Sequence, residues 1–150
     1  MRLFMALFVL MWASNSSATP PQPAPLKPVV TTLNEVQERQ VSSGKARIKM
    51  LAHGKKAFVG QLWLAAGAQV PVHRDESEEY LYVISGQGEI TINGQTSSIG
   101  PGAVIFMPSG AEVSYRNGSA PLVALQVFAG PESASKYDGW APSLPAKKTP

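Results

Sequence analysis

Residues 67–86, GAQVPVHRDESEEYLYVISG, place three potential ligand side chains just before a run of alternating apolar residues. His73, Asp75 and Glu79 occupy positions i, i+2 and i+6 of this stretch. They share one parity, so an extended backbone would direct all three side chains to the same face. The residues that continue this parity beyond Glu79 are apolar, which predicts that the face lies inside a barrel.

Short runs of apolar and β-branched residues recur around this stretch and are separated by turn signals. A spacing of roughly ten residues between such runs predicts an all-β single domain, either a sandwich or a barrel. Asn93-Gly94 is the strongest hairpin signal, because both residues tolerate the positive φ of a type I′ turn. The predicted strands are 47–51, 57–64, 79–84, 88–92, 96–99, 103–107, 112–115 and 122–128.

The composition is that of one globular domain with little net charge. The chain has 150 residues, of which 44% are hydrophobic and 15% charged, and this length can bury a sizeable core. A formal charge of +3 is too small to indicate nucleic-acid binding. The sequence contains no cysteine, which excludes a disulfide framework, a thiolate ligand and a cysteine-linked lipid anchor.

The first eighteen residues have the layout of a secretory signal peptide: one basic residue, Arg2, then an apolar run at 3–12 and small polar residues. An apolar run of about ten residues is half of the ~20 that span a bilayer. We therefore expect cleavage after Ala18 and a periplasmic or secreted mature protein without stable membrane insertion. The expected divisions are a signal peptide at 1–18, a proline-rich linker and N-terminal segment at 19–44, a barrel at 45–130 and a C-terminal extension at 131–150.

A second patterned stretch, residues 102–117, reads GAVIFMPSGAEVSYRN. Together the two stretches resemble the paired motifs of the cupin family. The first motif is Gly, five residues, His, one residue, His, three or four residues, Glu, six residues, Gly, and Asp75 takes the place of its second His. The second motif is Gly, five residues, Pro, one residue, Gly, two residues, His, three residues, Asn, and Val113 takes the place of its His.

This resemblance implies a double-stranded β-helix, the jelly-roll barrel of cupins, which is often dimeric and often holds a divalent metal through three His and one Glu. Carried across position by position, the metal ligands would be His73, Asp75 and Glu79, with none from Val113. One imidazole and two carboxylates suit manganese, magnesium or calcium better than iron or zinc. Two possibilities therefore stay open: a weak or atypical site for manganese, iron, zinc or calcium, or no cofactor at all.

Several functions are consistent with these residues. The first is an exported barrel that binds a small molecule, directly or through the weak metal site, and that forms a monomer or a homodimer. The alternatives are a metal-dependent cupin enzyme of the dioxygenase or isomerase type, and a periplasmic interaction protein. Without a metal, His73 and Glu79 are candidate catalytic residues for acid–base chemistry, because an apolar surrounding raises the pKa of a carboxyl group.

A few side chains outside the motifs also carry expectations. Gln61 and Gln126 are polar residues in otherwise apolar strands, and either would reach a ligand if it faced inward. Phe106 is expected in the core. Near the C-terminus, the sequence predicts a chain reversal that lays Tyr137 and Trp140 over the barrel.

Overall fold

The computed structural model describes residues 26–131 and 134–143 of the chain. The expected signal peptide, its cleavage site after Ala18 and the first part of the proline-rich segment lie outside these residues. Within them, no helix has the length and apolar character needed to cross a membrane.

The described residues form β-strands and one short 3-10 helix, Ser135–Tyr137. Along 57–64, 78–85 and 122–129, buried side chains alternate with less buried ones, so that one face of each strand packs into the core. The strands are β1 Glu38–Gln40, β2 Ala46–His53, β3 Ala57–Leu64, β4 Gln69–His73, β5 Glu78–Ser85, β6 Gly88–Ile92, β7 Gln95–Ile99, β8 Val104–Met107, β9 Val113–Asn117, β10 Leu122–Ala129 and β11 Ala141–Pro142.

Two antiparallel sheets enclose the core. One has seven strands in the order β11-β1-β2-β3-β10-β5-β8, and the other has four in the order β4-β9-β6-β7. The largest fully buried side chains between the sheets are Phe58, Phe128, Ile48, Leu122 and Val83. This architecture confirms the predicted all-β jelly-roll fold.

The predicted strands are all present, with ends that differ by a few residues. Asn93 and Gly94 both have positive φ, 48° and 81°, and join β6 to β7 as the hairpin signal predicts. Three strands were not predicted: β1, β4 and β11. Because β11 pairs with β1 and β1 pairs with β2, the large sheet continues beyond the expected barrel limits of 45 and 130.

The asparagine that ends the second motif stabilises the scaffold. Asn117 is 4% exposed, and its Nδ2 donates to the carbonyl oxygens of Ala65 at 2.7 Å and Ala120 at 3.0 Å. Its Oδ1 accepts a hydrogen bond from the Tyr115 hydroxyl at 3.0 Å. Since a buried amide needs partners for all its polar atoms, this residue ties β9 to two neighbouring turns and has no free group for a ligand.

The loop between β4 and β5 is held against the turn of the second motif. Arg74 Nη1 donates to the Gly110 carbonyl oxygen at 2.7 Å, and its Nη2 lies 2.8 Å from Glu112 Oε2. The Gly110 amide donates to the Asp75 carbonyl oxygen at 2.8 Å. These bonds fix the backbone on both sides of Asp75. The Glu112 side chain is exposed and faces outward.

Candidate functional site

The barrel encloses a cavity of about 340 Å³ whose wall comes from both sheets. Most of the wall is apolar and includes Leu62, Leu64, Leu81, Ile90, Ile99 and Met107. The polar lining includes His73, Glu79, Gln126, Lys136 and Tyr137. An apolar cavity with a few polar groups is the usual form of a small-molecule site.

Glu79 is the buried acid of this cavity, at 7% exposure. Its Oε1 accepts a hydrogen bond from Gln126 Nε2, and Gln126 Oε1 accepts one from the Tyr137 hydroxyl at 2.6 Å. Burial raises the pKa of Glu79, although the Gln126 hydrogen bond and the nearby Lys136 charge oppose this effect. The result is a continuous hydrogen-bonded chain from the C-terminal extension to a carboxyl group inside the barrel.

A second polar cluster contains His73 and Asp75, the first-motif residues, together with Lys136 of the C-terminal extension. His73 Nε2 lies 3.5 Å from Asp75 Oδ2, and Lys136 Nζ lies 2.7 Å from that same oxygen. The hydrogen bond from His73, assisted by Lys136 against the effect of burial, lowers the pKa of Asp75 to about 2. The Asp75 hydrogen bond in turn raises the pKa of His73.

The tautomer of His73 follows from its other contact. Nδ1 lies 2.9 Å from the Pro71 carbonyl oxygen, and a carbonyl oxygen can only accept, so Nδ1 carries a proton. Nε2 is then the atom that gains or loses a proton beside Asp75. The Pro71 carbonyl oxygen thus fixes the ring of His73, and Nε2 faces the Asp75 carboxylate.

Comparison with known proteins finds a similarity to one domain family. Residues 62–128 match the model of the cupin domain family Cupin_2. The match covers a little less than half of the chain and supports a place for this segment in the cupin superfamily. A solved RmlC-like cupin from Shewanella frigidimarina has a TM-score of 0.64 at 15% identity, over 70% of this chain and 93% of that one; at this identity the likeness concerns the fold alone.

Two curated sequences are similar to the cupin domain. An uncharacterized protein of Streptomyces coelicolor is 28% identical over 67% of this chain and 95% of its own length. The dimethylsulfoniopropionate lyase DddQ of Ruegeria pomeroyi is 30% identical over 46% of this chain. The match spans about a third of that lyase, 35% of its length, so its activity belongs to a larger protein.

The structure corrects the reasoning that placed the three predicted ligands on one extended strand. β4 ends at His73 and β5 begins at Glu78, so Asp75 lies in the loop between two strands that belong to different sheets. His73 and Glu79 nevertheless both line the cupin cavity. Leu81 and Val83 are buried on the same face of β5 as Glu79, as expected.

Many cupins hold a divalent metal, so His73, Asp75 and Glu79 can be compared with the ligands that such an ion needs. As arranged here, these side chains do not fit a divalent cation. The Lys136 ammonium already pairs with Asp75 Oδ2, and a second cation there would be repelled. Gln126 bonds to Glu79, and Val113 provides no donor atom. Among the residues that the structure describes, no three His, Cys, Asp or Glu side chains are grouped to hold a metal ion. Metal binding by His73, Asp75 and Glu79 stays a prediction.

Sequence reasoning missed the contribution of the C-terminal extension to the cupin cavity. Tyr137 is 2% exposed, and its ring lies 5.4 Å from that of Phe58 and 5.0 Å from that of Trp140. The expected reversal of the chain over the barrel is therefore present, but Tyr137 and Lys136 also line the cavity. Outside the two motifs, the sequence signal that pointed to this cavity was Gln126, a polar residue in an apolar strand; Gln61 lies outside the lining.

The outer face of the large sheet carries an exposed apolar strip, which we define as Tyr80, Tyr82, Ile84, Val104 and Phe106. Their exposure ranges from 39% to 74%, and the Tyr80 and Phe106 rings stack at 4.9 Å. The prediction that Phe106 lies in the core is wrong. The parity of β8 buries Ile105 and Met107 instead, because a strand can direct only alternate residues inward.

Proposed function

We propose that this cupin domain binds a small organic molecule in its barrel cavity and does so without a metal ion. The observation that carries the proposal is the cavity of about 340 Å³, in which an apolar wall meets the hydrogen-bonded chain Tyr137–Gln126–Glu79. Its volume falls within the range of roughly 300–1,000 Å³ that is common for ligand pockets. The Lys136–Asp75 ion pair supports the metal-free form, since the lysine already supplies a cation at the motif.

Acid–base catalysis is a second candidate, and the raised pKa of Glu79 favours it. Burial raises the pKa of Glu79, and a positioned carboxyl group with a raised pKa can donate and accept protons in acid–base catalysis. His73 lines the same cavity and would act as the partner base or acid. The Ruegeria pomeroyi relative is a lyase, and this similarity supports an enzymatic role. The match covers less than half of this chain.

We further propose that the mature protein is exported and acts in the periplasm or outside the cell. The support is the arrangement of Arg2, the apolar run 3–12 and the small residues before Ala18. N-terminal sequencing of the protein recovered from the periplasmic fraction should begin at Thr19. Recovery of the chain with an intact Met1, or in the cytoplasm alone, would contradict export.

Binding is tested by melting the purified mature protein with a library of small molecules that includes neutral, cationic and anionic compounds. A ligand that binds only the folded state raises the melting temperature. Leu81→Phe fills part of the cavity, whereas Ile84→Phe is a matched control on the same strand, because Ile84 faces solvent at 46% exposure. Compounds bound in the cavity should lose their effect in Leu81→Phe and keep it in Ile84→Phe. The proposal fails if no compound stabilises the protein or if both variants respond alike.

A further inference from the structure

The charged side chains that line the cavity are mostly basic. Among the residues that the structure describes, the lining contains Lys45, Lys136 and His73 against one acid, Glu79. The count favours positive charge even when His73 is neutral and Glu79 ionised. Both lysines are exposed, so solvent and salt partly screen their charges.

Asp75 places a negative charge beside this lining, and that charge also acts on Glu79 inside the cavity. Asp75 lines a separate crevice of about 170 Å³ with Ser77, Phe128 and Lys136 and is absent from the lining of the barrel cavity. Its ion pair uses one of the three N–H groups of the Lys136 ammonium. Lys136 borders both spaces and can donate to a second carboxylate from the cavity side.

The surroundings of Asp75 Oδ2 show that nitrogen atoms beside the cavity can contact a carboxylate oxygen. His73 Nε2 and Lys136 Nζ lie 3.5 Å and 2.7 Å from this one carboxylate oxygen. The chain thus provides an ammonium donor, Lys136 Nζ, that already binds a carboxylate oxygen beside the cavity. Charge-assisted hydrogen bonds of this kind are the strong ones in protein sites.

We propose that the cavity selects a small organic anion, a carboxylate with an apolar body. Its carboxylate would bind Lys136 and its body would pack on apolar side chains such as Leu62, Leu81 and Ile90. This inference deepens the proposed function and rests on it. It assigns to Lys136 the part of a specificity-determining residue.

The source of this specificity lies outside the matched cupin segment. Lys136 and Tyr137 follow the end of the match at residue 128, and the extension that carries them is held at several points. Arg39 Nη1 donates to the Tyr137 carbonyl oxygen at 3.3 Å, and β11 pairs with β1. A firmly held lysine loses less entropy on binding than a mobile one, which suits a recognition role.

The test uses octanoate and its uncharged counterpart octanamide as probes, titrated calorimetrically into the mature protein at neutral pH. We expect octanoate to bind about tenfold or more tightly than octanamide, since loss of a charge-assisted bond commonly costs at least a factor of ten. Lys136→Gln should remove this preference and leave octanamide binding unchanged. Lys56→Gln, at an exposed lysine outside the cavity, is the matched control and should behave as wild type.

Lys136→Gln also removes the ion pair with Asp75, so a second variant at a different lysine is needed. Lys45→Gln removes the other lysine of the cavity lining and should also weaken octanoate binding selectively, even if Lys136→Gln folds poorly. Equal binding of octanoate and octanamide, with both lost in Leu81→Phe, would overturn the anion inference while the proposed function stands. The inference is also wrong if Lys56→Gln weakens octanoate as much as Lys136→Gln, or if neither probe binds although neutral library compounds occupy the cavity.

Discussion

Lys136 Nζ lies 2.7 Å from Asp75 Oδ2, so a lysine of the C-terminal extension occupies the place beside the cupin motif where a bound cation would act. The two residues are 61 positions apart in the chain. The ammonium neutralises the carboxylate that replaces the second motif histidine. This pair connects the chemistry of the cavity to a segment outside the matched cupin domain.

The first prediction concerns metal content. The mature protein, purified without a His tag, should contain substoichiometric manganese, iron, zinc and calcium, because Lys136 competes with any divalent ion for Asp75. Elemental analysis measures the content, and melting curves with each ion should show no shift. One equivalent of metal retained through dialysis would contradict the proposed metal-free site.

The second prediction restores a metal site. His73 and Val113 are directly opposite each other on β4 and β9, and such pairs bring Cβ atoms within about 4.5–5.5 Å. The double variant Val113→His with Lys136→Met should therefore bind zinc at least tenfold more tightly than wild type, the scale on which metal sites respond to their partners. Calorimetric zinc titration measures this gain. Val104→His with Lys136→Met, which puts the histidine at a 74% exposed position, should show none.

The third prediction is a pH dependence of stability from Asp75. Its pKa falls from 3.8 to about 2 on folding, so its stabilisation is present above pH ~4 and is lost as the pH falls through about 2. A shift of this size corresponds to roughly 2 kcal/mol. Asp75→Asn should lower the free energy of urea unfolding by up to that amount at pH 5, with the difference shrinking toward pH 2. Asp138→Asn, an exposed acid on the same extension, should change little; equal losses in both variants would refute the assignment.

The fourth prediction has the opposite sign. The folded state raises the pKa of Glu79 through burial, so ionisation of this group destabilises the protein increasingly as the pH rises above about 4.5. Glu79→Gln keeps the size and the acceptor for Gln126 and removes that cost. Its melting temperature should exceed that of wild type at pH 8 and match it near pH 4, with roughly 2–4 °C for each kcal/mol recovered. A lower melting temperature at pH 8 would show that the ionised carboxylate is stabilising; Glu89→Gln, on the exposed face of β6, is the control.

The fifth prediction is the homodimer that the cupin resemblance implies. β8 ends the large sheet in the described part of the chain, and the exposed apolar strip lies beside this free edge. The Glu78 carboxylate adjoins the strip and accepts a hydrogen bond from the Tyr80 hydroxyl. Light scattering after size exclusion should give a dimer for the wild type and a monomer for Phe106→Lys, at 49% exposure. Glu89→Lys on the other sheet is the control for added charge, and a monomeric wild type would contradict the prediction.

The sequence by itself determined eight of the strands and the scaffold of the two motifs. Strand periodicity and turn residues such as Asn93 and Gly94 act over a few positions, so their outcome can be read locally. Asn117 lies at its motif position for a reason that the structure makes plain, since its side chain holds the ends of neighbouring strands together. The presence of His73 and Glu79 in one cavity was also predictable, although their common strand was not.

Only the tertiary structure decided how those side chains are used. Parity does not carry across a loop, so the break after His73 and the outward direction of Phe106 were not accessible from spacing. The contacts of Lys136 with Asp75 and of Tyr137 with Gln126 depend on where the chain returns over the barrel. Such long-range contacts come from the packing of the whole domain and not from local pattern, and here they determine the charge and the polar lining of the cavity.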